Sequence, residues 1–138
     1  MIQLTKDGTA SPDVYSDGDG SDPVSVTINL DGTNSPTTYV GTPGTNLYVW
    51  ANDDTTDIDN YSSITIAISG ADTGITWELS PNGSDSWASS IGISDLDVSV
   101  SEQATQIWAR ATALNDGSVA TANYITADIE ITATENPE

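Results

Sequence analysis

Short runs in which apolar and polar residues alternate recur along most of the chain, and this period of two constrains the fold more than any other feature. The run at residues 24–30 reads Val-Ser-Val-Thr-Ile-Asn-Leu. Successive side chains of a β-strand point to opposite faces, so such a run buries one face and leaves the other in solvent. The pattern predicts strands at residues 24–30, 47–51, 64–68, 75–79, 96–100, 106–113 and 125–131.

Turn-forming dipeptides separate these runs. Ser69-Gly70, Asn82-Gly83 and Asp116-Gly117 stand between strands, and Gly and Asn adopt positive φ at low cost. No segment has convincing helical periodicity, and strands that follow one another without helices favour an antiparallel β-sandwich. A chain of 138 residues is long enough for one such domain. We therefore predict an all-β fold.

The first part of the chain differs from the rest, because residues 1–43 contain fewer apolar residues and several turn-forming clusters. We expect them to form an extended N-terminal arm with one strand at 24–30, and the compact sandwich to occupy residues 44–138. Ile2 and Leu4 alternate beside Lys6. This pattern fits a strand that adds to the sheet edge of a neighbouring chain.

The charge is strongly one-sided, with 21 acidic residues against 2 basic ones and a net charge of −19. Nucleic acids and anionic membranes are bound through clusters of Lys and Arg, so neither is an expected partner. The expected partners have neutral, basic or apolar surfaces. Disorder is not expected, since 36% of the residues are hydrophobic and they fall in alternating runs.

Much catalytic and cofactor chemistry lacks its residues here, because the chain contains neither Cys nor His. Disulfides, zinc sites of the usual ligand types and His-based triads are thereby excluded. Glu78 and Glu130 lie opposite the predicted core face, where solvated carboxylates are common. We assign no catalytic residue and expect a protein that is not an enzyme and has no cofactor.

One acidic segment resembles a calcium loop in its spacing. Residues 17–22 read Asp-Gly-Asp-Gly-Ser-Asp, but Ile28 stands where an EF-hand loop has its closing Glu. A solvated acidic turn and a weak calcium site formed by Asp17, Asp19 and Asp22 both remain open. A second acidic cluster, in a predicted loop, comprises Asp53, Asp54, Asp57 and Asp59.

The predicted core combines large and small side chains. Ile75, Trp77 and Leu79 share one strand face, and alanines share one face of the later strand at 106–113. We expect the small residues to face the large ones across the sandwich, which keeps the interior close-packed. The predicted core residues are Ile66, Trp77, Val98, Ala109, Ala111 and Ile129.

Several aromatic residues fall on the opposite, outward faces. Trp108 alternates out of the alanine face, and Arg110 follows it on the same face, where it is able to stack on a Trp or pair with Asp128 or Glu130. Two alternatives stay open for Trp50 and Trp108: they form a contact surface, or residues 1–43 cover them. The candidate interface residues are Ile2, Leu4, Lys6, Tyr48, Trp50, Trp108 and Arg110.

No apolar stretch is long enough for a signal peptide or a membrane span, so we expect a protein that is not exported by the general route. From Leu47 onward the chain resembles bacterial and phage immunoglobulin-like domains. Residues 77–87 (WELSPNGSDSW) look like their strand, hairpin turn and second Trp, residues 107–113 like the penultimate strand and residues 124–134 like the closing strand. The resemblance covers roughly the last two-thirds of the chain.

Immunoglobulin-like domains recur in tailed-phage structural proteins, and a small, acidic, free-standing copy is similar to capsid decoration, or cement, proteins. The resemblance implies a virion protein on the capsid exterior that binds the major capsid protein as a homotrimer at three-fold sites; a monomer is the other possibility. One alternative is a carbohydrate-binding or adhesive module on a phage tail or cell surface, with Tyr48, Trp50 or Trp108 stacking on sugars. Another is a soluble domain from a salt-loving host.

Overall fold

The computed structural model describes residues 1–6, 8, 14–16, 19–30, 38–52, 58–99 and 101–137. This part of the chain contains no helix, and all its strand pairings are antiparallel. The predicted all-β fold is confirmed. The strands are β1 (Ile2–Thr5), β2 (Val14–Ser16), β3 (Asp19–Ile28), β4 (Thr38–Gly41), β5 (Leu47–Ala51), β6 (Ile58–Ser69), β7 (Ile75–Ser80), β8 (Ser90–Gly92), β9 (Leu96–Asp97), β10 (Gln103–Leu114) and β11 (Ala122–Pro137).

The strands form two sheets that pack as a curled sandwich. In the first sheet β2, β1, β5, β10 and β4 follow one another, and β7 also pairs with β10. In the second sheet the order is β3, β11, β6 and β8, and β9 also pairs with β6. The long strand β10 thus pairs with three strands of the first sheet, and the long strand β11 pairs with two strands of the second.

The hydrophobic core draws on both sheets. Leu79, Ala111 and Leu4 from the first sheet, and Ile66 and Ile129 from the second, are almost completely buried. Burying a leucine or isoleucine side chain stabilises the fold by about 1.5–3 kcal/mol. All six residues predicted for the core lie in this cluster: Ile66, Trp77, Val98, Ala109, Ala111 and Ile129.

The alanines of β10 lie beside the large residues of β7, which differs from the expected packing across the sandwich. Ala111 is paired with Trp77 in the ladder, and Ala109 is paired with Leu79. Every second residue of β7 and of β10 points into the core. This alternation is the same whether the two strands pair within one sheet or face each other from opposite sheets, so the sequence does not distinguish the two arrangements. The missing side-chain volume of Ala111 leaves room beside the indole ring of Trp77.

The N-terminal residues are part of the sandwich, in contrast to the predicted arm. Leu4 in β1 pairs with Val49 in β5, and β3 pairs with β11 in the second sheet. Leu4, Val26 and Ile28 are buried in the common core. Most apolar side chains described in this segment face inward, Val40 being an exception, so its low apolar content reflects solvated outer faces.

Strand bounds differ where the alternating run is short. The runs at 47–51 and 75–79 match β5 and β7 closely. Of the run predicted at 96–100, residues 96–97 form β9, residues 98–99 are not in a strand, and residue 100 lies outside the described residues. The short strands β2, β4 and β8 are not predicted from alternation, whereas β1 is predicted at Ile2 and Leu4 but pairs with β5 of its own chain. Three or four residues contain too few alternations to define a period.

Candidate functional site

The outer surface of the first sheet carries the candidate site. The inward positions in the second half of β10 are Ala109, Ala111 and Ala113, so Trp108, Arg110 and Thr112 fall on the opposite face. The register places Glu78 of β7 opposite Arg110. We call this surface, formed by the outward residues of β4, β5, β7 and β10, the neutral face.

Charge is divided unequally between the two sheets. The described strands of the first sheet contain one acid and one base, Glu78 and Arg110. The described strands of the second sheet contain no Lys or Arg and carry seven acids: Asp19, Asp22, Asp59, Asp97, Asp128, Glu130 and Glu135. The strong negative charge is thus distributed away from the strands of the first sheet.

Arg110 lies between a carboxylate and an aromatic ring. Its Nε donates to Oε2 of Glu78 at 2.9 Å, and its Nη2 lies 2.8 Å from the same oxygen. Its Cζ lies over the ring of Trp87, 4.3 Å from the centroid, which is a cation–π arrangement. Arg110 therefore makes both contacts that were expected as alternatives, one with a ring and one with a carboxylate, but the carboxylate is Glu78, and the expected Asp128 and Glu130 belong to the second sheet.

The loop after β7 is fixed by its own hydrogen bonds. Oγ of Ser80 donates to the carbonyl of Asp85 at 2.6 Å and accepts from the backbone N–H of Gly83 at 3.0 Å. Oδ1 of Asn82 accepts from the backbone N–H groups of Ser84 and Asp85 at 3.0 and 3.1 Å. Hydrogen bonds from the side chains of Asn82 and Ser86 hold the pKa of Asp85 below its usual range. The sequence Ser-Pro-Asn-Gly-Ser-Asp-Ser thereby forms a well-defined turn rather than a loose one.

Gly83 brings this loop against Trp108. Its φ is +73°, a conformation that glycine adopts without strain. A Cβ at this position would lie 2.8 Å from Cδ2 of Trp108. The loop backbone therefore rests directly on the indole ring, and a larger residue would move one or the other.

These elements enclose a cleft of about 380 Å³. Trp87, Trp108 and Arg110 line it, and we call it the aromatic cleft. The other lining groups are uncharged: Val40, Thr42, Pro43, Thr45, Asn46, Leu47, Gly83, Ser84, Gln106, Ile107 and Ala109. Its size lies within the range of small-ligand sites, but it is also suited to hold one protruding side chain of another protein.

Three of the candidate interface residues lie on the neutral face and remain partly exposed. Trp108 and Arg110 line the aromatic cleft. Tyr48 is half-buried, and Gly8 lies close to its ring. Val40 and Leu114, which were not candidates, are each 54% exposed on the same face.

Two of the remaining interface candidates, Trp50 and Leu4, are buried, and burial is one of the two alternatives left open for Trp50. Trp50 is 6% exposed and Leu4 is fully buried, so neither presents a surface to a partner. The physical reason for Leu4 is the pairing of β1 with β5 inside the same chain. Ile2 packs against the core from its rim, and Lys6 is partly exposed just beyond β1.

Trp87 is the residue that the sequence interpretation missed. It was noted as the second Trp of the hairpin, but its Ser-, Asn- and Gly-rich neighbourhood gave no strand face to assign it to. The sequence offers one signal for Trp87: it is an aromatic residue in a segment of small polar residues. Since no alternating run assigns it to the core, a position at the surface is expected.

The proposed calcium site lies outside what the structure describes. Asp17 is not among the described residues, and the side chains of Asp19 and Asp22 are not described. Asp53, Asp54 and Asp57 also lie outside the described ranges. Within those ranges, no group of three or more acidic side chains is arranged to bind a metal ion.

The comparisons with known proteins assign no family. No protein-family model matches the chain, and no curated protein sequence is significantly similar to it. The described residues contain no helix that is long and apolar enough to cross a membrane.

Proposed function

We propose that this chain is a non-enzymatic virion structural protein that decorates the exterior of a tailed-phage capsid and bridges its subunits. The observation that carries the proposal is the division of charge between the two sheets. A protein with a net charge of −19 has a face whose strands contain one paired acid and base, and that face displays Val40, Leu114 and Trp108, with Trp87 in the adjoining loop. Interfaces are enriched in Trp and Arg and depleted of unpaired charge at their centres.

The unequal charge of the two sheets would orient the protein on a capsid. The described strands of the neutral face carry no unpaired carboxylate that would be desolvated against the shell, and the acidic second sheet turns toward solvent. Binding energy that exists only in the assembled shell stabilises the shell by linkage. In this proposal the partner is the major capsid protein, the domain is immunoglobulin-like, and a homotrimer occupies three-fold sites.

The test is the copy number of this chain relative to the most abundant shell protein in purified particles, measured by quantitative mass spectrometry. Decoration predicts hundreds of copies per particle, on the order of the number of capsid subunits. A few copies would place the protein on the tail, and its absence from particles would contradict a virion role.

A second candidate function, a carbohydrate-binding or adhesive module, is favoured by the uncharged lining of the aromatic cleft. Thr42, Thr45, Asn46 and Gln106 offer hydroxyl and amide groups beside two indole rings, and sugars are bound by this combination of stacking and hydrogen bonds. Of the platform residues predicted for sugars, Trp50 is buried, so this function would use Trp87 with Trp108. Binding of a neutral glycan that is lost in Trp87→Ala would support it over decoration.

A further inference from the structure

The charges around the aromatic cleft determine which side chain enters it. Glu78 and Arg110 neutralise each other through contacts of 2.9 and 2.8 Å. Asp85 follows the lining residue Ser84 directly in the loop, and it is exposed. The charge of Arg110, the one charged residue in the lining, is therefore paired, Asp85 adds a carboxylate one residue beyond the lining, and the protein as a whole carries a charge of −19.

The aromatic groups of the cleft suit a cation. Trp87 already holds the guanidinium of Arg110 over its ring at 4.3 Å, and Trp108 lies beside it in the same lining. Indole is the ring that attracts Lys and Arg most strongly, and the attraction increases when the pair is partly removed from water. A second cation entering the cleft would meet the indole of Trp108 on a protein that is strongly acidic as a whole.

The cleft is also preformed. The loop from Ser80 to Ser86 is tied by hydrogen bonds through Ser80 and Asn82, and Gly83 packs on Trp108. A site that is rigid before binding loses little conformational entropy when it is occupied. This rigidity distinguishes the aromatic cleft from an ordinary exposed loop.

We propose that the aromatic cleft binds a lysine or arginine side chain presented by a partner protein. The identity of that partner as capsid protein rests on the proposed function above, whereas the choice of a basic side chain rests on the charges and rings of the cleft. An acidic side chain is repelled by the whole molecule, and a neutral sugar gains stacking without the electrostatic attraction.

The test uses the isolated protein and short peptides with blocked termini. One peptide carries a single arginine among glycines, and matched peptides carry lysine, glutamine or glutamate in its place; methyl glucoside serves as the sugar probe. Binding is followed through the indole N–H resonances in NMR spectra, which Trp87→Phe and Trp108→Phe assign. We expect the arginine and lysine peptides to shift the Trp87 and Trp108 resonances with a Kd on the order of 1 mM, more weakly as salt is added.

Variants separate the cleft from the overall charge. Trp87→Ala should weaken binding of the arginine peptide by about tenfold, while Trp87→Phe keeps an aromatic surface and stays within about threefold of the wild type. Asp85→Asn should weaken it by about threefold. Asp116→Asn is the matched control, because Asp116 also accepts a hydrogen bond from a Ser two residues along, in a turn remote from the cleft lining, and should leave binding nearly unchanged.

Each contrary result has a defined meaning. Equal weakening by Asp85→Asn and Asp116→Asn would show that only net charge matters, and equal binding of the glutamine peptide or methyl glucoside would show that the cleft does not select a cation. Either result overturns the proposal. Hundreds of copies on particles without binding of the arginine peptide would overturn it and leave decoration standing, whereas peptide binding by a protein absent from particles would do the reverse.

Discussion

The two sheets of this protein are alike inside and different outside. Both direct Ile, Leu and Ala into one core. Yet the described strands of one sheet carry a single paired acid and base, while the described strands of the other carry seven acids and no base. The inward residues determine folding, since either outer composition satisfies the same alternation. The difference between the outer faces is therefore free to serve contact with other molecules.

The comparison also separates two kinds of tryptophan. Trp77 lies on the inner side of the first sheet and is 5% exposed. Trp87 and Trp108 line the cleft on its outer side and are only partly buried. We therefore expect the ring of Trp77 to contribute to stability and the rings of Trp87 and Trp108 to contribute to binding.

The largest expected effect comes from the inner ring. Trp77→Ala should lower the free energy of unfolding by about 3–5 kcal/mol, because it removes a buried indole and leaves a cavity. Trp87→Ala is the control on the outer side and should cost about 1 kcal/mol, mainly its contact with Arg110. Urea unfolding followed by circular dichroism measures both, and equal losses would show that the outer ring is structural.

A smaller effect is expected where the loop meets the neutral face. Gly83→Ala should cost about 2–3 kcal/mol, since it combines strain at a φ of +73° with a Cβ placed 2.8 Å from Trp108. Gly117→Ala provides the matched control, because φ is +85° there and no atom lies within 4 Å of the added Cβ. It should cost about 1 kcal/mol. Thermal unfolding of the two variants measures the difference between these two losses of stability. Equal losses would contradict the packing of Gly83 on Trp108.

The charge difference itself predicts opposite responses to the same substitution. Glu78→Gln should lower stability by about 1 kcal/mol, because it breaks a partly buried ion pair whose side chains are about a quarter exposed. Glu130→Gln on the exposed face of β11 should raise stability by about 0.5 kcal/mol or less, since it removes repulsion from neighbouring acids such as Asp128. Melting temperatures at low salt test this pair. Destabilisation of similar size by both changes would contradict the division between the two faces.

The smallest expected effect concerns pH. Hydrogen bonds from the side chain and backbone of Ser99 lower the pKa of Asp97 from 3.8, and Ser118 does the same for Asp116. A lowered folded-state pKa contributes stability above the unfolded value, and that stability is lost as the pH falls below 3.8 and through the folded-state value. Asp97→Asn and Asp116→Asn should therefore each flatten the acid side of the wild-type curve of melting temperature against pH. An unchanged acid limb in both variants would contradict the assigned hydrogen bonds.

The sequence predicts where the strands lie better than it predicts which strands pair with each other. Alternation predicts β5 and β7 well because each has enough residues to define a period, and it places Trp77 and Ala111 inward. It does not reveal that Ala111 pairs with Trp77, because alternation shows which residues of a strand point inward but not which other strand lies beside it. Leu4 was assigned to an arm for a similar reason: its partner Val49 is distant in the chain.

The candidate site was predictable only in part. The alternation of β10 placed Trp108 and Arg110 on one outward face, and the chemistry of Arg110 predicted a ring and a carboxylate. The particular partners, Glu78 and Trp87, depend on the pairing of β7 with β10 and on the hydrogen-bonded turn that Asn82 and Ser80 organise. Neither the strand pairing nor the path of that turn can be obtained from periodicity.

Hydroxyl-radical footprinting of the protein, free and bound to purified particles, tests the central claim that the neutral face is the contact surface. The account predicts that oxidation of Trp87 and Trp108 falls on binding, while Tyr124 and Ile125 on β11 of the acidic sheet are labelled as in the free protein. Protection of Tyr124 and Ile125, with Trp87 and Trp108 still fully reactive, would contradict it.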